Sequence, residues 1–353
     1  MTTNYSEEIF ETNFFKIIKK DDALILNLKQ DNNVLISSWL NGGLKHNMKN
    51  IVNQSISDED YNMMANGDFD SFQEYKFQKL NLSPLTSAGL ITSACMDNYA
   101  ISTKKYEKLE VTSIITAGAD KNAVKAGDKA SFYEYNNHYF SHFGTINIIT
   151  IINANLEDGA LVTASITATE AKSSILQDLK IESQYSNFIA TGTGTDGIAI
   201  ISNKNSENHI ENAGKHSKLG ELIATSIRDA LKKALYLQTF MSIDYQSTVL
   251  SRLSRFNILF DDFYEQSSET NKIAYASKFY HFNNNKENVS FISSIVNLID
   301  EVQLQLLTWD DVETVIKQLI KYYLNVEVPE KKLKEKNDVL NLLIKSVNLH
   351  LFD

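Results

Sequence analysis

The sequence predicts an α/β class domain, layered around a mixed sheet, followed by a C-terminal all-α helical bundle. Three observations predict it. All 13 glycines lie at or before Gly220, which confines tight turns and close backbone approaches to the front of the 353-residue chain. That front alternates β-branched runs with segments of helical periodicity, the pattern of layered α/β structure. The remainder carries apolar stripes at helical spacing and no glycine. The division falls near residues 238–242, giving an expected domain of residues 1–238 and a helical region of residues 239–353.

In chain order, residues 23–28 and 34–37 read as strands separated by the turn-like Gln30, Asp31, Asn32 and Asn33. This hairpin-like start favours a mixed sheet over an all-parallel one. A helix is expected over 85–96, just after Pro84. Residues 111–116, ending near Gly118, read as a strand, as do 145–152, opened by Gly144, and 198–201. Further helices are expected over 161–179 and 219–237. In the second of these Leu219, Ile223, Ile227, Ala230, Ala234 and Leu237 recur on one face. Four stripes follow: Val249 to Phe263, Ile292 to Leu306, Val312 to Tyr323, and Val339 to Val347, the last after a charged link over 329–337.

Composition excludes several classes. With 34 basic and 44 acidic side chains the net charge is −10, the wrong sign for a nucleic-acid footprint. At 43% hydrophobic residues the chain is not a disordered one. The single cysteine, Cys95, can form no internal disulfide, and it sits in a pattern that reads as a buried helix position. The first 22 residues mix acidic and basic side chains with apolar ones, unlike a secretory signal. The apolar run 146–152 is far short of the roughly 20 residues that span a bilayer. The expectation is a cytoplasmic protein with no membrane insertion.

Several segments carry chemistry. Gly192, Gly194 and Gly197 match G-x-G-x-x-G, but a strand follows where the dinucleotide fingerprint needs a helix. What remains is a loop of Gly192, Thr193, Gly194, Thr195 and Asp196, rich in hydroxyls and amides suited to an anion or a carbonyl oxygen. Glu170 and Lys172 lie two apart in a helical stretch and so do not share a face, although both could converge on a pocket. Lys215, His216 and Lys218 open the last helix of the front part, against the preference of a helix start for anions. His216 can act as an acid or base near neutral pH. His138 and His142 are four apart but lack the glutamate of an H-E-x-x-H site, so no metal is expected. Asn41, Gly42 and Gly43 suit either a tight turn or a close ligand approach.

Taken in order, these pieces resemble the adenosylcobinamide amidohydrolase family. The resemblance runs through residues 37–43, 90–94, Thr116-Ala117-Gly118 with Asn122-Ala123, and 144–149 with Thr145 and Asn147. It continues through Thr169-Glu170-Ala171-Lys172, 190–197 and 214–221, covering about residues 20–238 and leaving out the helical tail. It implies hydrolysis of the amide between the aminopropanol linker and a propionate arm of the corrin ring, giving adenosylcobyric acid for corrinoid salvage. A small-molecule corrinoid is then the partner, no cofactor is required, and a homo-oligomer is compatible with it.

The candidate catalytic residues under that resemblance are Glu170, Lys172, Asp196 and His216. Glu170 or Asp196 would activate water, His216 would protonate the leaving amine, and Lys172 with the loop amides would hold the oxyanion. A threonine nucleophile, Thr193 or Thr145, is a competing route. Candidate substrate-binding residues are Asn41, Gly42, Gly43, Asn122, Thr145, Asn147, Gly192, Thr193, Gly194, Thr195 and Lys218. Two other readings stay open: a corrinoid-binding or sensing protein without turnover, and an amidase acting on another substrate.

Overall fold

The computed structural model describes residues 6–64, 68–131, 133 and 145–352. The chain divides into two compact units, Met1–Ser242 and Ile243–Asp353.

The first unit contains, in chain order, strands β1 (Ser6–Glu11), β2 (Phe15–Lys20), β3 (Ala23–Leu28), β4 (Asn32–Ile36), β5 (Gly43–His46) and β6 (Asn50–Ser55). Helices α1 (Asp58–Met64) and α2 (Phe69–Lys79) lead to β7 (Ser87–Thr92), β8 (Ala100–Tyr106), β9 (Leu109–Ala117) and the short β10 (Ala123–Val124). Then come β11 (Ile146–Ile152), β12 (Asn155–Leu156), α3 (Asp158–Asp178), β13 (Gly192–Thr193), β14 (Gly197–Asn203), β15 (His209–Ile210) and α4 (Lys218–Thr239).

Two sheets carry the unit. One has the order β1-β2-β3-β6-β7, the other β5-β4-β14-β11-β9-β8. The pairs β6/β7 and β11/β14 are parallel and the remaining pairs in both sheets antiparallel, so the sheets are mixed as the sequence predicts. Period-two alternation on β11 assigns its two faces. Ile146, Ile148 and Ile152 pack with Leu161, Ile175, Ile223 and Ile227 of α3 and α4. Ile149 and Ile151 point the other way and meet Leu24, Leu26 and Ile51 of the other sheet. The outer face of that second sheet, Ile25 and Val52, is covered by Phe77 of α2. The result is four layers: α2, five strands, six strands, then α3 with α4.

Two expectations need correction. Residues 85–96 form no α-helix: β7 occupies 87–92, flanked by single 3₁₀ turns at Pro84–Thr86 and Met96–Asn98. Five of its six residues are buried, so both faces read as apolar and the strand period is lost. Cys95, expected to be buried, is exposed in the turn after β7.

The second unit is helical, with α5 (Val249–Leu253), α6 (Phe260–Glu265), α7 (Lys272–Asn284), α8 (Lys286–Gln303), α9 (Trp309–Leu324) and α10 (Lys336–Phe352). The first expected stripe is interrupted at Asn257, whose φ of 59° is a left-handed conformation that asparagine tolerates. The α7 helix was not foreseen. Its N-cap Asn271 accepts the backbone N–H groups of Ile273 and Ala274, and it contributes Tyr275, Phe279 and Phe282 to one apolar core. Burial raises the phenol pKa of Tyr275, whose hydroxyl donates to Asn348 Oδ1 at 2.6 Å. Among the described residues no helix is long and apolar enough to cross a membrane.

Candidate functional site

A cavity of about 520 Å³ opens between the two sheets, where β4, β6 and β7 end and β11 and β14 begin. Its polar wall includes Asn122, Thr145, Asn147, Gly194, Thr195 and Asp196, and its apolar rim includes Trp39, Met64 and Phe69. A space of this size, apolar with a few convergent polar groups, suits a small-molecule ligand.

The loop before β14 is organised by Asp196. Its carboxylate accepts the backbone N–H of Ile146 (3.2 Å), the backbone N–H of Thr193 (3.1 Å) and the Thr193 hydroxyl (2.5 Å). Lys172 of α3 donates to the second oxygen. The ion-pair side chains are 12% and 8% exposed, so the pair is nearly out of water. Gly192 makes this contact possible: a Cβ there would lie 2.3 Å from Asp196 Oδ2 and 2.6 Å from Lys172 Nζ. The β10/β13 pairing, Ala123 with Thr193 and Val124 with Gly192, brings Asn122 beside the same loop. The Thr145 hydroxyl donates to the Thr195 carbonyl at 2.7 Å and also meets the Thr195 hydroxyl.

The structure therefore brings together Asn122, Thr145, Asn147, Thr193, Gly194, Thr195 and Asp196, with Lys172 and Gly192 supporting them. It separates the others. Glu170 faces solvent on α3 and pairs with Lys215, away from the cavity wall. Its neighbour two positions on, Lys172, points inward, as helical geometry requires. His216 is exposed in the turn before α4, and neither it nor Glu170 lines the cavity. Lys218 pairs with Glu221 at 2.6 Å and lies over the Tyr106 ring. The Asn41 side chain donates to the carbonyls of Pro84 (2.7 Å) and Ser87 (2.8 Å). With Asn41 at φ 58° and Gly43 at φ 83°, Asn41, Gly42 and Gly43 form a structural turn. None of these six expected site positions lines the cavity. His138 and His142 lie outside the described residues.

Sequence reasoning missed other parts of the wall. Trp39 stacks on Phe69 with ring centroids 4.2 Å apart, and Tyr185 donates to Asn122 Oδ1 at 3.1 Å. Asn53, buried on β6, accepts from the Asn147 amide at 2.8 Å. An asparagine inside a β-branched strand was the signal available for it. Among the described residues no group of three or more His, Cys, Asp or Glu side chains is placed to hold a metal.

Fold and site together define a layered α/β domain of mixed sheets with a small-molecule-sized cavity between them. The chain belongs to the adenosylcobinamide amidohydrolase (CbiZ) family, whose model matches residues 6–242. An uncharacterised protein of Methanocaldococcus jannaschii is 31% identical over 239 residues, which are 64% of this chain and 91% of that one. A Methanosarcina mazei protein named adenosylcobinamide amidohydrolase is 31% identical over 160 residues, 43% of this chain and 68% of its own. A solved Pyrococcus horikoshii structure aligns at a TM-score of 0.32 and 9% identity, over 65% of this chain and 83% of that one. At that score the layered architecture rests on the packing of this chain alone.

Proposed function

We propose that the first unit hydrolyses the amide joining the aminopropanol linker to the corrin ring of adenosylcobinamide, releasing adenosylcobyric acid. One observation carries the reading: the family-matched segment builds a cavity that gathers Asn122, Thr145, Asn147, Thr195 and Asp196 on one wall. A corrinoid is larger than a cavity of about 520 Å³, so the linker-bearing arm enters while the macrocycle stays at the aromatic rim. In the reaction a water oxygen bonds to the carbonyl carbon, the C–N bond breaks, and the amine leaves with a proton. In this reading Asn122 and the turn over 194–197 face the oxygen on which negative charge develops.

A second reading, corrinoid binding without turnover, is favoured by Asp196. Its oxygens already receive Lys172, Thr193 and the Ile146 amide, which leaves the carboxylate little capacity to act as a base. Incubation of the purified protein with adenosylcobinamide, followed by mass spectrometry, separates the two. Release of adenosylcobyric acid supports the hydrolase. Binding without release selects the second reading, and neither binding nor release overturns both.

Two further results are expected from the same assay. Trp39→Ala should raise KM about tenfold with kcat little changed, since it removes a stacked ring that holds the ligand without touching the scissile bond. Glu170→Gln and His216→Ala should both retain near-wild-type turnover, because exposed charges away from the cavity contribute little. A large loss of kcat in either variant would restore that residue to the site.

A further inference from the structure

Asn147 is 1% exposed and lines the cavity at the start of β11. Its Nδ2 donates to Asn53 Oδ1 at 2.8 Å and to the Ile91 carbonyl at 3.1 Å. Asn53 in turn donates to the Thr116 hydroxyl at 2.8 Å. The Ile91 carbonyl can only accept, so it fixes which way the Asn147 amide points: reversing it would set oxygen against oxygen. Both amide protons are thereby used, and Oδ1 is left buried without a hydrogen-bond partner. Gly197, also on the cavity wall, leaves the space beside this oxygen free of a side chain, since a Cβ there would lie 2.6 Å from it. A buried acceptor without a donor carries a desolvation cost that a ligand donor would relieve.

We propose that Asn147 Oδ1 receives the N–H of the scissile secondary amide and so makes the site selective for amides over ligands that lack this proton. The proposal rests on the amidohydrolase reading and names the substrate group that this part of the wall recognises. The N–H and C=O of a trans amide point in opposite directions, so holding the proton at Oδ1 turns the carbonyl oxygen away from Asn147. An ester in the same position would set its linking oxygen against Oδ1, and an N-methyl amide would present a methyl group.

The test compares adenosylcobinamide with two analogues, one carrying an ester oxygen and one an N-methyl group in place of the linker N–H. For the wild-type chain the N-methyl analogue should lose about 10- to 100-fold in kcat/KM. In Asn147→Ser the ratio of amide to ester turnover should fall by a similar factor, whereas a merely structural role would lower both rates together. An unchanged amide-to-ester ratio, or equal wild-type turnover of the amide and its N-methyl analogue, overturns the proposal. If the wild type binds adenosylcobinamide without cutting it, the hydrolase reading fails by itself. Competition binding then decides for Asn147: weaker binding of the N-methyl analogue supports the contact, and equal binding overturns it.

Discussion

Asp196→Asn is expected to destabilise the first unit by about 3–5 kcal/mol, the range for breaking a buried ion pair by removing one partner. The change leaves Lys172, whose side chain is 8% exposed, as a buried cation without its counter-charge. It also puts an NH₂ group where one carboxylate oxygen now accepts from Thr193 and Ile146 or from Lys172. Lys172→Met should be costly too, because it strands the carboxylate. The double variant should cost much less than the sum, since two neutral groups of similar shape can pack where the charges met. Urea unfolding reported by Trp39 fluorescence in a Trp309→Phe background reads the first unit, because Trp309 belongs to the second. Additive losses would show that the two side chains act independently.

Gly220→Ala is the second large effect, and here two contributions oppose each other. Helix propensity alone favours alanine over glycine by about 1 kcal/mol. At Gly220, however, a Cβ would lie 2.1 Å from the Gly214 carbonyl oxygen and 2.8 Å from that of Ala213, both backbone atoms. This stretch has little room to retreat: Ala213 is fully buried, its carbonyl accepts the Thr167 hydroxyl at 2.9 Å, and the Ser217 N-cap holds the Gly220 N–H at 3.0 Å. The clash should win, with a net loss of about 3 kcal/mol. Gly159→Ala is the control. Nothing lies within 4 Å of its Cβ position in the first turn of α3, so it should gain about 0.5–1 kcal/mol. A stabilised Gly220→Ala protein would mean that the 213–214 turn yields.

How far the fold could be read in advance depended on how each element is covered. The strands β9 and β11 are long β-branched runs, and α4 keeps one apolar face over 22 residues, so each announces its period. By contrast, β7 is covered on both sides and hides its period, while β1 and β2 interleave Glu7, Glu8, Lys16 and Lys19 with apolar residues like a solvated face. The site shows the same division. The loop carrying Thr193 and Asp196 was legible because its hydroxyls and carboxylate exceed what a turn needs. Glu170 and His216 fall outside the cavity wall, a placement the sequence could not give because a charged side chain does not show which side of a helix it takes. The Thr116–Asn53–Asn147 chain joins three strands from different parts of the sequence, a relation that no local pattern carries.

The order of strands also bears on how the chain comes to exist on a ribosome. Every strand of the five-stranded sheet lies within the first 92 residues, but the six-stranded sheet pairs β4 with β14, and β14 ends at Asn203. During synthesis the first sheet can therefore close long before its opposing layer is available. Its inner face, with Leu24, Leu26 and Ile51, is not fully covered until more than a hundred further residues have emerged. Pairings this distant in sequence form slowly, and exposed apolar sheet invites off-pathway association. The interleaving that places a cavity between two sheets thus leaves apolar sheet surface exposed on the nascent chain for much of its elongation.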